Sequence, residues 1–188
     1  MEKYQLLRTP IPSIKVDDSA CDVDDLAKCG GVQVSVPGTD SWAALVQRAV
    51  DSEWTGIEAL AGFDGTVAEA VRNNYAAYGQ EVADTLMSVR TWDTQEDAQR
   101  TFASLDARLG EGTSRLMEQL AGPSAGDGGS GQPAATEGAL RYEVLDVDFL
   151  FVQGNLTRPI VDDDLAALLG VERRTRVPLR RVAEAVGP

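Results

Sequence analysis

The sequence predicts an α+β domain built on a mixed or antiparallel sheet with flanking helices. Three features predict it. Val32, Val34 and Val36 alternate with polar residues, the stretch RYEVLDVDFLFVQG (141–154) alternates over the length of a long strand, and Trp42, Leu45, Val46, Ala49 and Val50 recur at helical spacing.

In chain order, Ile14 to Val16 reads as a first short strand, so residues 1–31 form an N-terminal extension joining the sheet and 32–188 the main domain. Pro37 and Gly38 end the second strand, and Asp40 or Ser41 caps the helix that follows. Ile57 to Leu60 lead into GFDGTVAEAVRNNYAAYGQ (62–80). TLMSVRTWD (85–93) reads as a strand with Leu86, Ser88, Arg90 and Trp92 on one side and Met87, Val89 and Thr91 on the other. Ala98, Phe102, Leu105 and Leu109 then fall on one helical stripe, followed by Leu116 and Leu120. Residues 121–138, rich in Gly, Ser and Pro with no large apolar side chain, read as a flexible loop. In the strand at 141–154, Leu145, Val147, Phe149 and Phe151 share one face, and Asp146 and Asp148 the other. Two short helices close the chain, one from Asp162 to Gly170 and one opened by Pro178 and ending at Val186.

Composition excludes several classes. The chain has 188 residues, 43% of them apolar and 25% charged, as in an ordinary globular domain. Its net charge of −13 argues against a nucleic-acid partner, which needs a basic face. ERRTRVPLRR (172–181) packs five arginines into ten positions and reads as a solvated face offsetting Asp162, Asp163 and Asp164. With neither a bilayer-length apolar run nor a signal-peptide core, a cytoplasmic location and no membrane partner are expected. Cys21 and Cys29 match no metal spacing, and without histidine no metal site is expected. Acid–base chemistry would fall to Asp, Glu, Tyr, Lys or Cys.

The loop at 62–80 carries the functional question. Glycines ahead of a helix N-terminus can hold a phosphate through backbone N–H groups and the helix dipole. Here Asp64 and Glu69 stand where that anion would sit, and like charges ~4 Å apart cost about 1 kcal/mol in water and about 4 at an effective dielectric near 20.

Several stretches in order resemble the flavin-dependent UDP-N-acetylenolpyruvoylglucosamine reductases of bacterial cell-wall synthesis. VSVPGTDSWAALVQRAVDSEWTGIEALAG (34–62) is similar to that family's strand, helix and approach to the flavin loop. Residues 62–93 are similar to its GIPGTVGG loop, QNxGAYG turn and next strand, and 141–154 with 161–186 to its later strand and helix pair. The resemblance covers roughly 32–93 and 141–186 and corresponds to the family's middle, flavin-binding subdomain, so a truncated, degenerate homologue lacking the flanking subdomains is expected. It implies an ancestral flavin loop of Gly62, Gly65, Thr66, Asn73, Asn74 and Gly79. Asp64, Ala68 and Glu69 depart from the family's loop. In LGEGTSRL (109–116), Glu111 and Gly112 stand where the family has the Tyr and Arg of Gly-Tyr-Arg-x-Ser.

These departures lead to the expectation of no cofactor, with FAD as the alternative. The expected function is a non-redox enzyme of specialised metabolism that cyclises or isomerises a small apolar substrate in the cleft vacated by flavin. Tyr78, Glu69 and Asn74 are its candidate catalytic groups, Glu69 as an acid of raised pKa, and Phe63, Tyr75, Trp42, Trp92 and Thr66 its pocket. The low lysine count and Ala, Arg, Asp, Gly and Val bias suggest a GC-rich actinobacterial genome. Alternatives are an FAD-binding oxidoreductase needing a partner, and a non-catalytic scaffold; a homodimer or partner protein would cover the exposed sheet.

Overall fold

A computed structural model describes residues 7–19, 31–120 and 139–187. Cys21, Cys29 and the loop expected at 121–138 lie outside the described residues. Strands β1 (Lys15–Asp17), β2 (Val32–Pro37), β8 (Tyr142–Gln153), β6 (Leu86–Asp93) and β7 (Ala98–Ala103) follow one another across a sheet in that order, and β3 (Trp54–Thr55) pairs with the far end of β8. Every pairing is antiparallel.

One face of this sheet makes the core. Val34, Val36, Val89, Phe102, Val147 and Phe149 are buried against helix α1 (Trp42–Asp51) and helix α2 (Val67–Arg72). Ser41 caps α1 by accepting the Ala44 N–H, and the stripe from Trp42 to Val50 is the buried one. Trp42 meets Phe149 edge-on at 6.1 Å between centroids, while Phe151 stacks on Trp54 at 5.9 Å. Fully burying side chains of this size contributes about 1.5–3 kcal/mol each, enough to fix which way the central strand faces.

Two register shifts change the facing read from simple alternation. Leu86 pairs with Phe149 and Ser88 with Asp148, so Met87 is extra and exposed, and Leu86 turns to the core rather than siding with Ser88. Arg90 pairs with Asp146 and Thr91 with Val144, leaving Leu145 as a bulged, buried residue.

The second face is polar and strapped. Ser35 and Ser88 donate to the two oxygens of Asp148 at 2.5 and 2.7 Å, and Arg90 forks onto Asp146. The Arg90 guanidinium also donates to the carbonyls of Leu7 and Thr9, and the Ile11 N–H reaches Asp146, so residues 7–11 run across this face.

The helix expected through Ala98, Phe102, Leu105 and Leu109 is corrected. Residues 98–103 form strand β7, and only a single turn, α3 (Ser104–Ala107), is helical before Arg108 ends it with a left-handed backbone. Phe102 is buried as a strand residue opposite Val89, whereas Leu105 is 92% exposed. Helices α4 (Asp163–Leu169) and α5 (Leu179–Val186) fall where expected; Asp162 caps α4, and Gly170 stops it at φ +63°. They form a second small core from Ile160, Leu165, Leu169, Val177 and Val182.

Candidate functional site

The loop and its helix form one end of the domain. Thr66 is the N-cap of α2 and accepts the Glu69 N–H; the Glu69 carboxylate reaches back to the Thr66 N–H at 2.7 Å and hydroxyl at 2.8 Å, a complete capping box. The two intervening donors are also used, Val67 N–H by the Asp40 carbonyl and Ala68 N–H by the Gly38 carbonyl, each at 2.9 Å. Every backbone donor of the first turn is therefore occupied from within. A Cβ at Gly65 would lie 2.7 Å from the Phe63 ring and 3.0 Å from a Glu69 oxygen, so these side chains already fill the approach to the loop.

Glu69 differs from its expected role. Its hydrogen bonds from the Thr66 backbone and hydroxyl hold its carboxyl below the ordinary range, with Arg72 adding a smaller pull. The residue is exposed, so the raised pKa expected of an acid is corrected to a lowered one by the cap.

The turn at the other end of this segment is a tight hairpin. Strands β4 (Ala76–Ala77) and β5 (Gln80–Glu81) pair around Tyr78 and Gly79, which carry φ of +51° and +74°, the signs a type I′ turn demands. Asn74, buried and itself at φ +40°, anchors it: its amide donates to Glu81 and to the Gly110 carbonyl, and its side-chain oxygen accepts the Ala83 N–H. Asn73 is exposed at the end of α2. Asn74 thereby ties the turn to the 110–113 loop, where Glu111 and Gly112 are exposed. The nearby Arg115 lies over the Phe102 ring at 4.9 Å.

The candidate residues thus fall into separate places. Phe63 and Tyr75 pack ring against ring at 4.7 Å beside the Thr66–Glu69 cap, with Gly62 exposed at the loop's start. Tyr78 and Gly79 face a cavity of about 140 Å³ toward α4 and α5, lined also by Glu58, Gln80, Asp84, Arg158 and Ile160. Glu58 in its wall is 1% exposed and accepts from the Gly56 N–H and the Gln80 amide. Trp42 is fully buried in the main core with its indole N–H on the Leu60 carbonyl, and Trp92 lies across the sheet beneath Arg8. Neither tryptophan shares a cleft with the loop. Sequence reading missed Glu58 and Gln80, whose partnership is visible only once the 3₁₀ turn at Glu58–Leu60 packs on β5. Among the described residues no cluster of metal-binding side chains occurs, and no helix is long and apolar enough to cross a membrane.

Fold and site together define an antiparallel α+β domain that presents a glycine-bounded loop and a Tyr-Gly hairpin turn at one end. Sequence comparison gives the class its particular identity: this chain is a homologue of the UDP-N-acetylenolpyruvoylglucosamine reductases. It is 35% identical to the enzyme of that name from Cutibacterium acnes over 162 residues, covering 86% of this chain and 38% of the relative. With the Thermobifida fusca reductase it shares 32% over 170 residues, 90% of this chain and 41% of that one. The chain thus spans about two-fifths of the length of these relatives. No family model matches it. The crystal structure of the Thermus caldophilus UDP-N-acetylenolpyruvylglucosamine reductase aligns over 81% of this chain and 40% of its own at 18% identity and a TM-score of 0.48.

These relatives overturn the expected non-redox cyclisation or isomerisation in natural-product metabolism. The proteins matched along most of this chain are named for a reduction, and nothing in the site favours a cyclase.

Proposed function

We propose that this chain is the middle unit of an FAD-dependent reductase of the UDP-N-acetylenolpyruvoylglucosamine type. The observation that carries the reading is the 35% identity over 162 residues, 86% of this chain.

The fit to FAD is partial. Its diphosphate does not fit α2, whose first-turn donors are occupied and whose approach is filled by Phe63 and Glu69. In this reading the chain supplies a wall of the site around Phe63, Tyr75 and the Tyr78–Gly79 turn, and the phosphates are held by protein outside this stretch, in keeping with the share of the relatives it spans.

The test is the visible spectrum of the purified chain after incubation with FAD and gel filtration, alone and with a separately produced flavin-loop subdomain from a relative. Flavin retained in either mixture in equimolar amount supports the reading. A colourless protein in both sinks it.

A further inference from the structure

Glu58 is a buried acid with no cationic partner among the described residues. It is 1% exposed, and its two carboxylate oxygens accept from the Gly56 N–H at 2.7 Å and the Gln80 side-chain amide at 2.9 Å, both neutral donors. The other acids buried in the described fold, Asp93 and Asp146, are each held by an arginine. A carboxylate offers about four acceptor positions, and burying one without a cation is costly. Gln80 is committed as well, because its side-chain oxygen accepts the Ala59 N–H at 2.8 Å. Roughly half of the acceptor capacity of Glu58 is therefore left over, with its charge unbalanced.

This carboxylate belongs to the wall of the cavity of about 140 Å³ on the α4 and α5 side of the hairpin turn. Exposure orders that wall by depth. Glu58 lies inside, Ile160, Leu165 and Val182 supply a buried apolar side, and Arg158 and Val161 are exposed and so stand at the mouth. Asp84, also exposed in the wall, accepts the Glu81 N–H. The cavity thus combines a negative group within, an apolar side and a guanidinium at the entrance. A cavity of about 150 Å³ takes a ligand of about six heavy atoms such as benzene, the number in alanine.

We propose that this cavity binds a small amino acid of the size of glycine, alanine or serine, with its ammonium on Glu58 and its carboxylate on Arg158. An ammonium brings three donors to the remaining acceptor positions of Glu58, and a guanidinium fork matches a carboxylate. The small side chain rests on the apolar side, the mixture of few polar groups and apolar wall that small-molecule sites show. The site stands independently of the flavin reading.

Titration of the full ¹⁵N-labelled chain with alanine, followed by NMR, tests it. The expected result is a saturable shift of the Gly56, Gly79 and Gln80 amides at millimolar alanine or below, weakened about tenfold or more in R158Q and in V161W, which narrows the mouth, and unchanged in R180Q. E58Q should lose binding too; should it fail to fold, the exposed Arg158 and Val161 variants decide alone. Ethylamine and propionate, each carrying one of the two charged groups, should bind about tenfold or more weakly than alanine. No saturable shift by about 10 mM alanine, shifts confined to other amides, equal loss in R180Q, or binding of ethylamine or propionate as tight as that of alanine would overturn the proposal.

Discussion

Asp93 is the most constrained carboxylate in the domain. Its side chain is completely buried at the end of β6, forked by Arg141 at 2.9 and 2.8 Å, held by Arg100 at 2.9 Å and capped by the N–H groups of Gln95 and Glu96. The Arg141 bonds, foremost, pull its pKa below the ordinary carboxylate value in spite of burial. A carboxyl whose folded pKa is depressed stabilises the fold fully above its unfolded pKa of about 4, and that contribution is lost as pH falls through the folded value. Asp93→Asn should therefore cost about 3 kcal/mol at pH 7, because it leaves a half-buried guanidinium fork without its partner. The variant should also lose part of the decline in stability between pH 5 and 2 that the parent shows. Urea unfolding at several pH values checks this, and parallel pH curves for the two proteins would refute the assignment.

At the scale of elements, α2 shows how a short helix is specified from its first turn. Six residues are too few to persist by propensity, so the capping box and the buried Val67, Ala70 and Val71 must hold it. Thr66→Ala should cost about 1 kcal/mol and Glu69→Ala somewhat less, and the double variant should cost less than their sum because they share the same bonds. Denaturant midpoints at unchanged slope measure this; strict additivity would mean the box is not cooperative. The capping box was not read, because Thr66 was assigned to the pocket and Glu69 to acid catalysis; β2, α1, β6, β8, α4 and α5 were legible as periodicity. Strand β7 was not, because Ala98, Phe102, Leu105 and Leu109 mimic a helical stripe and only its pairing with β6 decides otherwise. The Leu86 misplacement came from the bulge at Met87, since one extra residue reverses every facing assignment on one side of it. The site was legible as a loop and a turn, but its division into a closed helix start and a separate cavity depends on contacts from α4, α5 and the 110–113 loop. Those contacts are non-local, and no window of sequence contains them.

For the whole molecule, the central strand β8 decides what is dispensable. It pairs with β2, β3 and β6 and so gathers segments from across the chain. The long connection leading into it leaves and returns at one point. Gln119 and Leu140 form an antiparallel bridge, the Leu120 N–H reaches the Ala139 carbonyl, the Arg141 N–H reaches the Glu118 carbonyl, and the Arg141 and Glu118 side chains pair at 2.8 Å. Leu120 and Ala139 are thus already held at hairpin distance next to the sheet. Loop-closure entropy grows only slowly with length, so a long insertion at a closed base costs little and its removal should restore little. Replacing 121–138 with Asn-Gly, the pair suited to a two-residue hairpin, should leave a folded protein whose melting temperature is within about 3 °C of the parent or above it. Calorimetry of the shortened chain decides the matter. A drop of about 10 °C would show that 121–138 packs on the domain as part of its core, whereas an unchanged melting point assigns the fold to the clamp at Glu118–Arg141 and the sheet behind it.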